Sequence, residues 1–462
     1  MCGIIGIASK KGTDVVADTV LGLHDLNHRG EQACGIATSN GIHLFHHSAE
    51  GLVAEVFGER SRDSLFSELK GHLSIGQVLY STVGRSGEKK QTRTFQPLIG
   101  DFHGQQFALG HNGNLIELDG LREEARQAGY QFKSEVSDTE VIVALLSTSK
   151  ETDFVEALRK VLPRLKGAFA LTILYKDKVI GVRDRHGIRP LCIGYNSHCF
   201  VLASESCAFY TLNVNFIREL RPGEIIVLGK DGIEASFLWA KDASLRFSIF
   251  EFVYFARPDS VFCGRSVWAY RHEAGRISAQ ENPLDVDFLM ASPESGRIYD
   301  EGFAAGSGIL IRQGLFRNRY HTTKTFLTTR DTDRRKLQRR KIHPLKEVVY
   351  GKRVGVIEDS LIRASVIPET VGMLREAGAT EVHVRICSSP VCSRCVLGID
   401  MPDEKELIAA HLSVGDINKL FVHADSLSYI SLDGMIRATG LPKESLCLGC
   451  FTSQYPIEFA RK

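Results

Sequence analysis

The chain has 462 residues, of which 43% are hydrophobic and 24% charged, and carries a net charge of +2. That length exceeds what a single core holds, so two domains or three are expected. The near-neutral balance argues against a nucleic-acid or anionic-membrane partner, and no apolar run approaches the roughly 20 residues of a membrane span. Eleven cysteines, an odd number, do not read as a disulfide framework. With no secretory pattern at the N-terminus, a reducing cytoplasm is the expected compartment.

Cys2 opens the first predicted strand, Cys2-Gly3-Ile4-Ile5-Gly6-Ile7-Ala8. Removal of Met1 would place an α-amine and a thiol on one residue. An amine near pKa ~8 can take the proton of a thiol near ~8.5, which makes a nucleophile with its own base. Helical patterns follow at Val15 to Leu26, Leu121 to Ala128, Thr139 to Leu146 and Phe154 to Leu162. Short β-like runs alternate with them at Ile42 to His46, Leu73 to Val78, Gln106 to His111, Ala168 to Leu174 and Cys199 to Ala203. The mixture suits helices packed on antiparallel sheets. His28-Arg29-Gly30 follows the first helix, an Asn112-Gly113 turn is expected after the third strand, and Ser137-Asp138-Thr139-Glu140 is a helix-capping sequence.

Together with Cys2, these segments resemble a class II, N-terminal-nucleophile glutamine amidotransferase domain. The resemblance implies a domain over residues 2–235 in which Cys2 is the nucleophile and Asn112 and Gly113 stabilise the oxyanion. Asp138 would anchor the glutamine amine, with Arg29 as a further glutamine contact. One segment departs from the family. Its Gly-His-x-Arg-Tyr-Ser-Thr reads Gly76-Gln77-Val78-Leu79-Tyr80-Ser81-Thr82, so a leucine replaces the arginine that clamps the glutamine carboxylate.

From about Phe247 the pattern changes. A helix is expected from Val267 to Ala279 and a strand from Val286 to Ala291. A second strand, Val354 to Ile357, ends in the carboxylates Glu358 and Asp359. A tight loop, a helix from about Pro368 and a third strand, Glu381 to Cys387, complete a βαβ unit. Paired acids at a strand end suit a ribose diol or a metal-bound pyrophosphate, and the loop suits a phosphate. The string resembles the phosphoribosyl pyrophosphate (PRPP) motif of type I phosphoribosyltransferases, which implies an α/β domain over residues 247–462. Its site would use Glu358, Asp359, Ser360, Arg363 and Ser365, with Ser295 and Lys324 from other loops and Mg²⁺ on the pyrophosphate. Here too the chain departs, with Ala364 and Val366 in the family's Arg-Gly-Thr-Thr loop. The basic run Arg334 to Lys341 lacks interleaved aromatics, which argues against nucleic acid; the resemblance makes it a loop that closes over PRPP.

Glu251 to Ser260, Pro293 to Gly296, Gly398 to Pro402 and Cys450-Phe451-Thr452 extend the resemblance over the whole chain, to the amidophosphoribosyltransferase family. That implies glutamine and PRPP as substrates, 5-phosphoribosylamine as product, the first step of de novo purine synthesis, and a homo-oligomer. The altered Leu79, Gln77, Ala364 and Val366 set a second expectation beside it: an impaired paralogue, either ammonia-dependent or regulatory. Cys395, Cys447 and Cys450 stand where one branch of the family ligates an iron–sulfur cluster, with Ser248 in the fourth position. A relic cysteine set or a zinc site is the alternative.

Overall fold

The computed structural model describes residues 2–58, 62–80, 95–133, 137–318, 339–363 and 366–459. The front half is two antiparallel sheets laid face to face between helices. One sheet has seven strands, in the order Asn215–Glu219, Cys192–Tyr195, Cys199–Ala203, Gly3–Ser9, Leu73–Leu79, Ala33–Ser39 and Leu44–Glu50. The other has six: Gly232–Leu238, Glu224–Gly229, Lys178–Arg183, Gly167–Tyr175, Gln105–Leu115 and Leu98–Phe102.

Gly3–Ser9 is central and buried along its whole length. This explains why its sequence is continuously apolar where a one-sided strand would alternate. Ile4 and Ala8 face Ala108, Ala170 and Ile226 of the second sheet, while Ile5 and Ile7 face Val16, Val20 and Leu23 of the helix Val16–Asp25. Phe102, Phe107 and Ile173 pack beneath the helices Asp138–Ser147 and Phe154–Val161 on the far side. The layers are helix, sheet, sheet and helix, the N-terminal-nucleophile sandwich.

The back half has a four-stranded parallel sheet, ordered Phe288–Ala291, Arg353–Glu358, Glu381–Ile386 and Ser426–Tyr429. Helix Ile367–Glu376 covers one face. Helices Val267–Glu281 and Arg297–Ser307 belong to the core on the other. Pro368 sits in the first turn of its helix, where a missing N–H leaves nothing unpaired. This is the α/β type I phosphoribosyltransferase arrangement, with its loops at the carboxyl ends of parallel strands.

Two expectations about local structure change. The strand expected over Ile42 to His46 forms at Leu44–Glu50, because Asn40 turns the chain first, its Oδ1 accepting from Ile42 and His43 N–H. Asn112 and Gly113 are not a turn. They lie inside the strand Gln105–Leu115, which pairs with Gly167–Tyr175 through Leu115. Only glycine fits at 113: φ is +156°, and a Cβ would lie 2.0 Å from Ala168 O.

Candidate active site

Cys2 is buried at the start of the central strand of the first sheet. Its N–H donates to Asn112 Oδ1 at 3.3 Å, and its Sγ lies 4.0 Å from Tyr80 O. The bond from Cys2 fixes which way the Asn112 amide faces, and so directs Nδ2 elsewhere. Among the described residues that buried Nδ2 has no hydrogen-bond partner. A buried donor without an acceptor costs about 1–3 kcal/mol, so it is a place where a ligand oxygen gains most.

Gly113 adds a second donor. Phe169, opposite it, gives its N–H to Asp184 Oδ2 and accepts from Asp184 N–H. In an antiparallel ladder both backbone groups of a residue point the same way, so Gly113 N–H is directed away from the Gly167–Tyr175 strand. His111 N–H, two residues earlier, points to that same side and meets Gln77 and Gln96. Strand Leu98–Phe102, which covers this edge, stops pairing at Leu109. An amide donor and a backbone donor thus stand on consecutive residues, the first of them bonded to Cys2 N–H, a donor pair suited to a tetrahedral oxyanion.

Asp138 begins its helix beneath this edge, behind the N-cap Ser137. Its Oδ2 accepts from Leu115 N–H at 3.0 Å and its Oδ1 from Thr139 N–H at 2.8 Å. The side chain keeps 24% of its surface exposed, so the charge remains accessible to a cation.

Arg29 is placed differently from the sequence expectation. Its side chain is fully buried, Nε donates to Cys2 O at 3.0 Å, and the guanidinium binds Glu205 and, at 3.0 Å through both terminal nitrogens, Glu251. A fork spent on two carboxylates does not clamp a substrate carboxylate, so the glutamine contact assigned to Arg29 is corrected to a hold on the Cys2 carbonyl. Burial would raise the Glu205 carboxyl, but His28 and Arg29 outweigh it and hold it far below the usual range. Sequence reading missed this network because Arg29 and Glu251 are 222 residues apart. Gln77 is also corrected. It is fully buried, and its amide brackets His111 by donating to O at 2.9 Å and accepting from N–H at 3.2 Å. It props the strand that carries Asn112 and is no substrate-contacting departure. Leu79, half-buried, does stand at the end of its strand beside Tyr80.

In the second half, Glu358 and Asp359 are buried where the Arg353–Glu358 strand ends, next to the loop leaving Phe288–Ala291. Ser295 donates to Glu358 Oε1 at 3.0 Å, and Ser360 donates to Asp359. Burial, then the neighbouring Asp359, pushes the Glu358 carboxyl well above its usual range. Arg363 lies on the same loop, 3.1 Å from Glu406. Val366 precedes helix Ile367–Glu376 and offers no side-chain cap. Lys324, Ala364, Ser365 and most of the basic run lie outside the described residues. Arg339, at the end of that run, pairs with Glu369 and Glu376.

Cys395, Cys447 and Cys450 are buried in one cluster, and Ser248 lies opposite Cys447 in a short parallel bridge. Contact with Cys450, with help from Arg189 and the Ile399 and Leu397 N–H groups, lowers the Cys395 thiol to about 6 against the pull of burial. The donor set is nonetheless three thiols and a hydroxyl, one thiolate short of the four that ligate a cluster. Among the described residues, no three His, Cys, Asp or Glu side chains form a single-ion site.

The fold and the two sites define a glutamine amidotransferase joined to a type I phosphoribosyltransferase. Residues 87–211 match the glutamine amidotransferase domain family. Over 99% of its length the chain is 38% identical to an amidophosphoribosyltransferase of Methanocaldococcus jannaschii, covering 98% of it. It is 39% identical to the Archaeoglobus fulgidus amidophosphoribosyltransferase, again over 99% of this chain and 98% of that one. The glutamine PRPP amidotransferase of Bacillus subtilis, solved with ADP and GMP, superposes with a TM-score of 0.89 at 35% identity over 99% of this chain and 98% of that one. This chain belongs to the amidophosphoribosyltransferase family. No helix among the described residues is long and apolar enough to cross a membrane.

Proposed function

We propose that the chain joins ammonia drawn from glutamine to PRPP, giving 5-phosphoribosylamine and pyrophosphate. The observation that carries the amide half is the unpaired Asn112 Nδ2 beside Cys2. With Met1 removed, the Cys2 amine takes the thiol proton, directly or through water. Sγ then attacks the side-chain carbonyl carbon of glutamine, and the oxygen gains negative charge against Asn112 Nδ2 and Gly113 N–H. Collapse breaks the C–N bond and releases ammonia, leaving a thioester that water hydrolyses to glutamate. Asp138 holds the glutamine ammonium. Asn112→Ala is expected to lower kcat for glutamine hydrolysis by about 10²–10³-fold with little change in KM, read as glutamate release.

In the second half, Glu358 and Asp359 take the ribose hydroxyls of PRPP, while Ser360, Arg363 and Ser365 take the 5-phosphate, and Ser295 and Lys324 are assigned to the same substrate. The buried carboxyls of Glu358 and Asp359 and the hydroxyls of Ser295 and Ser360 are hard oxygen donors that would suit Mg²⁺, which when bound with the pyrophosphate would supply charge screening there. Ammonia attacks C1 and the C1–O bond to pyrophosphate breaks. These steps use no ligand of the Cys395–Cys447–Cys450 set. A solved relative carries ADP and GMP, and control by purine nucleotides belongs to the same reading.

The test is pyrophosphate release that depends on PRPP, with glutamine and then with ammonium as donor. Turnover with both is expected, and silence with both in folded protein would remove the reading. Leu79 is the departure that bears on the choice of donor, since it puts an apolar side chain where the family has a carboxylate clamp. Leu79→Arg is expected to raise kcat/KM for glutamine by about 10–100-fold, the value of a charge-assisted pair of roughly 1.5–3 kcal/mol. No rise would leave the glutamine carboxylate bound by other groups.

A further inference from the structure

The turn of chain that follows Cys395 reaches out of the transferase half and lies against the strand carrying Asn112 and Gly113. Asn114 Nδ2 donates to Val396 O at 2.9 Å, a bond between residues 282 apart in sequence. Gly398 sits directly on the oxyanion glycine: a Cβ there would lie 2.8 Å from Gly113 C, 3.0 Å from its Cα and 3.2 Å from Asn114 N. Its φ of +102° is also one that side chains disfavour. Leu397, Gly398 and Ile399 are buried, and Ala168, which pairs with Asn114 across the strand, belongs to the same apolar cluster as Leu397 and Ile399. One end of the loop is anchored by Cys395, whose Sγ accepts from Leu397 N–H at 3.4 Å.

Among the described residues, the other hydrogen-bond and strand partners of the Asn112–Leu115 segment lie within the first half. Cys2 meets Asn112, Phe169 lies opposite Gly113, and Asp138 receives Leu115 N–H. Between these fixed points, the outward side of Gly113 and Asn114 is set by the Val396–Gly398 contact. A donor displaced by about 1 Å from the forming oxyanion loses on the order of 10²-fold in rate. Positioning here therefore acts on the transition state more than on substrate binding.

From this geometry we propose that Asn114 and Gly398 are positioning residues for the glutaminase reaction: the transferase half, through Val396 O and Gly398, holds the two oxyanion donors in register with Cys2. The proposal rests on the glutamine chemistry proposed above.

Asn114→Ala removes the donor to Val396 without adding bulk, and Gly398→Ala pushes a methyl group against Gly113. In the full-length protein with PRPP and Mg²⁺, each is expected to lower kcat for glutamine hydrolysis by about tenfold or more. KM for glutamine stays within about twofold, and so does ammonium-dependent synthesis. Should Gly398→Ala fail to fold, Asn114→Ala decides. An unchanged kcat in Asn114→Ala, a rise in KM alone, or a parallel fall of the ammonium-dependent rate overturns the proposal. A wild-type enzyme active with ammonium and silent with glutamine overturns it together with the glutamine reading, and is recognised before any variant is made.

Discussion

Cys2→Ala is expected to end glutamine-dependent formation of 5-phosphoribosylamine, by more than about 10³-fold, and to leave the ammonium-dependent rate within about twofold. The size follows from what is lost. Asn112 and Gly113 can only stabilise an oxyanion that a nucleophile has made, and the other thiols of that sheet near the Cys2 strand are poor substitutes: Cys199, on the adjacent strand, pairs with Ser9 at the far end and is pushed up to about 11, and Cys34, one strand beyond Leu73–Leu79, is pushed up to about 12, each chiefly by burial. The selectivity follows from where the two sites are built. Cys2 heads the central strand of an antiparallel sheet, while Glu358 and Asp359 end a parallel strand of a different sheet. Deleting a small side chain at the first leaves the second intact. Mass spectrometry of the starting protein must show Met1 removed. Equal loss with both donors would mean that Cys2 supports the whole molecule rather than the amide step.

What could be read from sequence was what lies close together along the chain. Cys2-Gly3-Ile4, Ser137-Asp138 and Glu358-Asp359 each carry their chemistry within a few residues. The strand–helix–strand order around Glu358 follows from apolar runs and a well-placed proline. Helices packed on antiparallel sheets were legible from the helix and strand mixture, because each run is long enough to show its period, while the sandwich itself followed from the family resemblance. What could not be read depends on distant partners. Gln77 looks like an altered substrate contact until its amide is seen bracketing the His111 backbone. Asn112-Gly113 is the commonest turn dipeptide, and only the pairing with Ala170 and Phe169 draws it into a strand. Arg29 was expected as a glutamine contact, yet its two carboxylate partners come from residues 205 and 251. No local signal marks such a partner, since a buried ion pair is invisible until the chain closes.

That buried network carries the second large expectation: Arg29→Ala should destabilise the protein by about 3–5 kcal/mol, seen as a fall in the melting midpoint on the order of 10 °C. The cost lies mostly in what remains. Glu205 and Glu251 are fully buried, and removing Arg29 takes away the one guanidinium that binds both, leaving Glu205 with His28 at 2.8 Å and Glu251 with Arg189 at a longer 3.4 Å. The sign of the pH dependence is set by Glu205. Its carboxyl is held below the unfolded value of about 4.3, so its stabilisation is present in full at neutral pH. It is lost as pH falls below that value towards the folded one. In the wild type, stability should therefore drop steeply on the acid side of pH ~4.3. In Arg29→Ala that acid-sensitive share should shrink but not vanish, because the Arg29 pairing that helps depress Glu205 has gone while the His28 pairing remains. Arg29→Lys restores charge but not the fork that spans Glu205, Glu251 and Cys2 O, and should recover only part of the midpoint. Because Arg29 Nε also holds the Cys2 carbonyl, the lysine variant separates two roles: a recovered midpoint with a still-reduced glutamine rate assigns the remaining loss to the nucleophile's placement. A midpoint within about 2 °C of wild type in Arg29→Ala would mean that water or a shifted proton compensates both carboxylates.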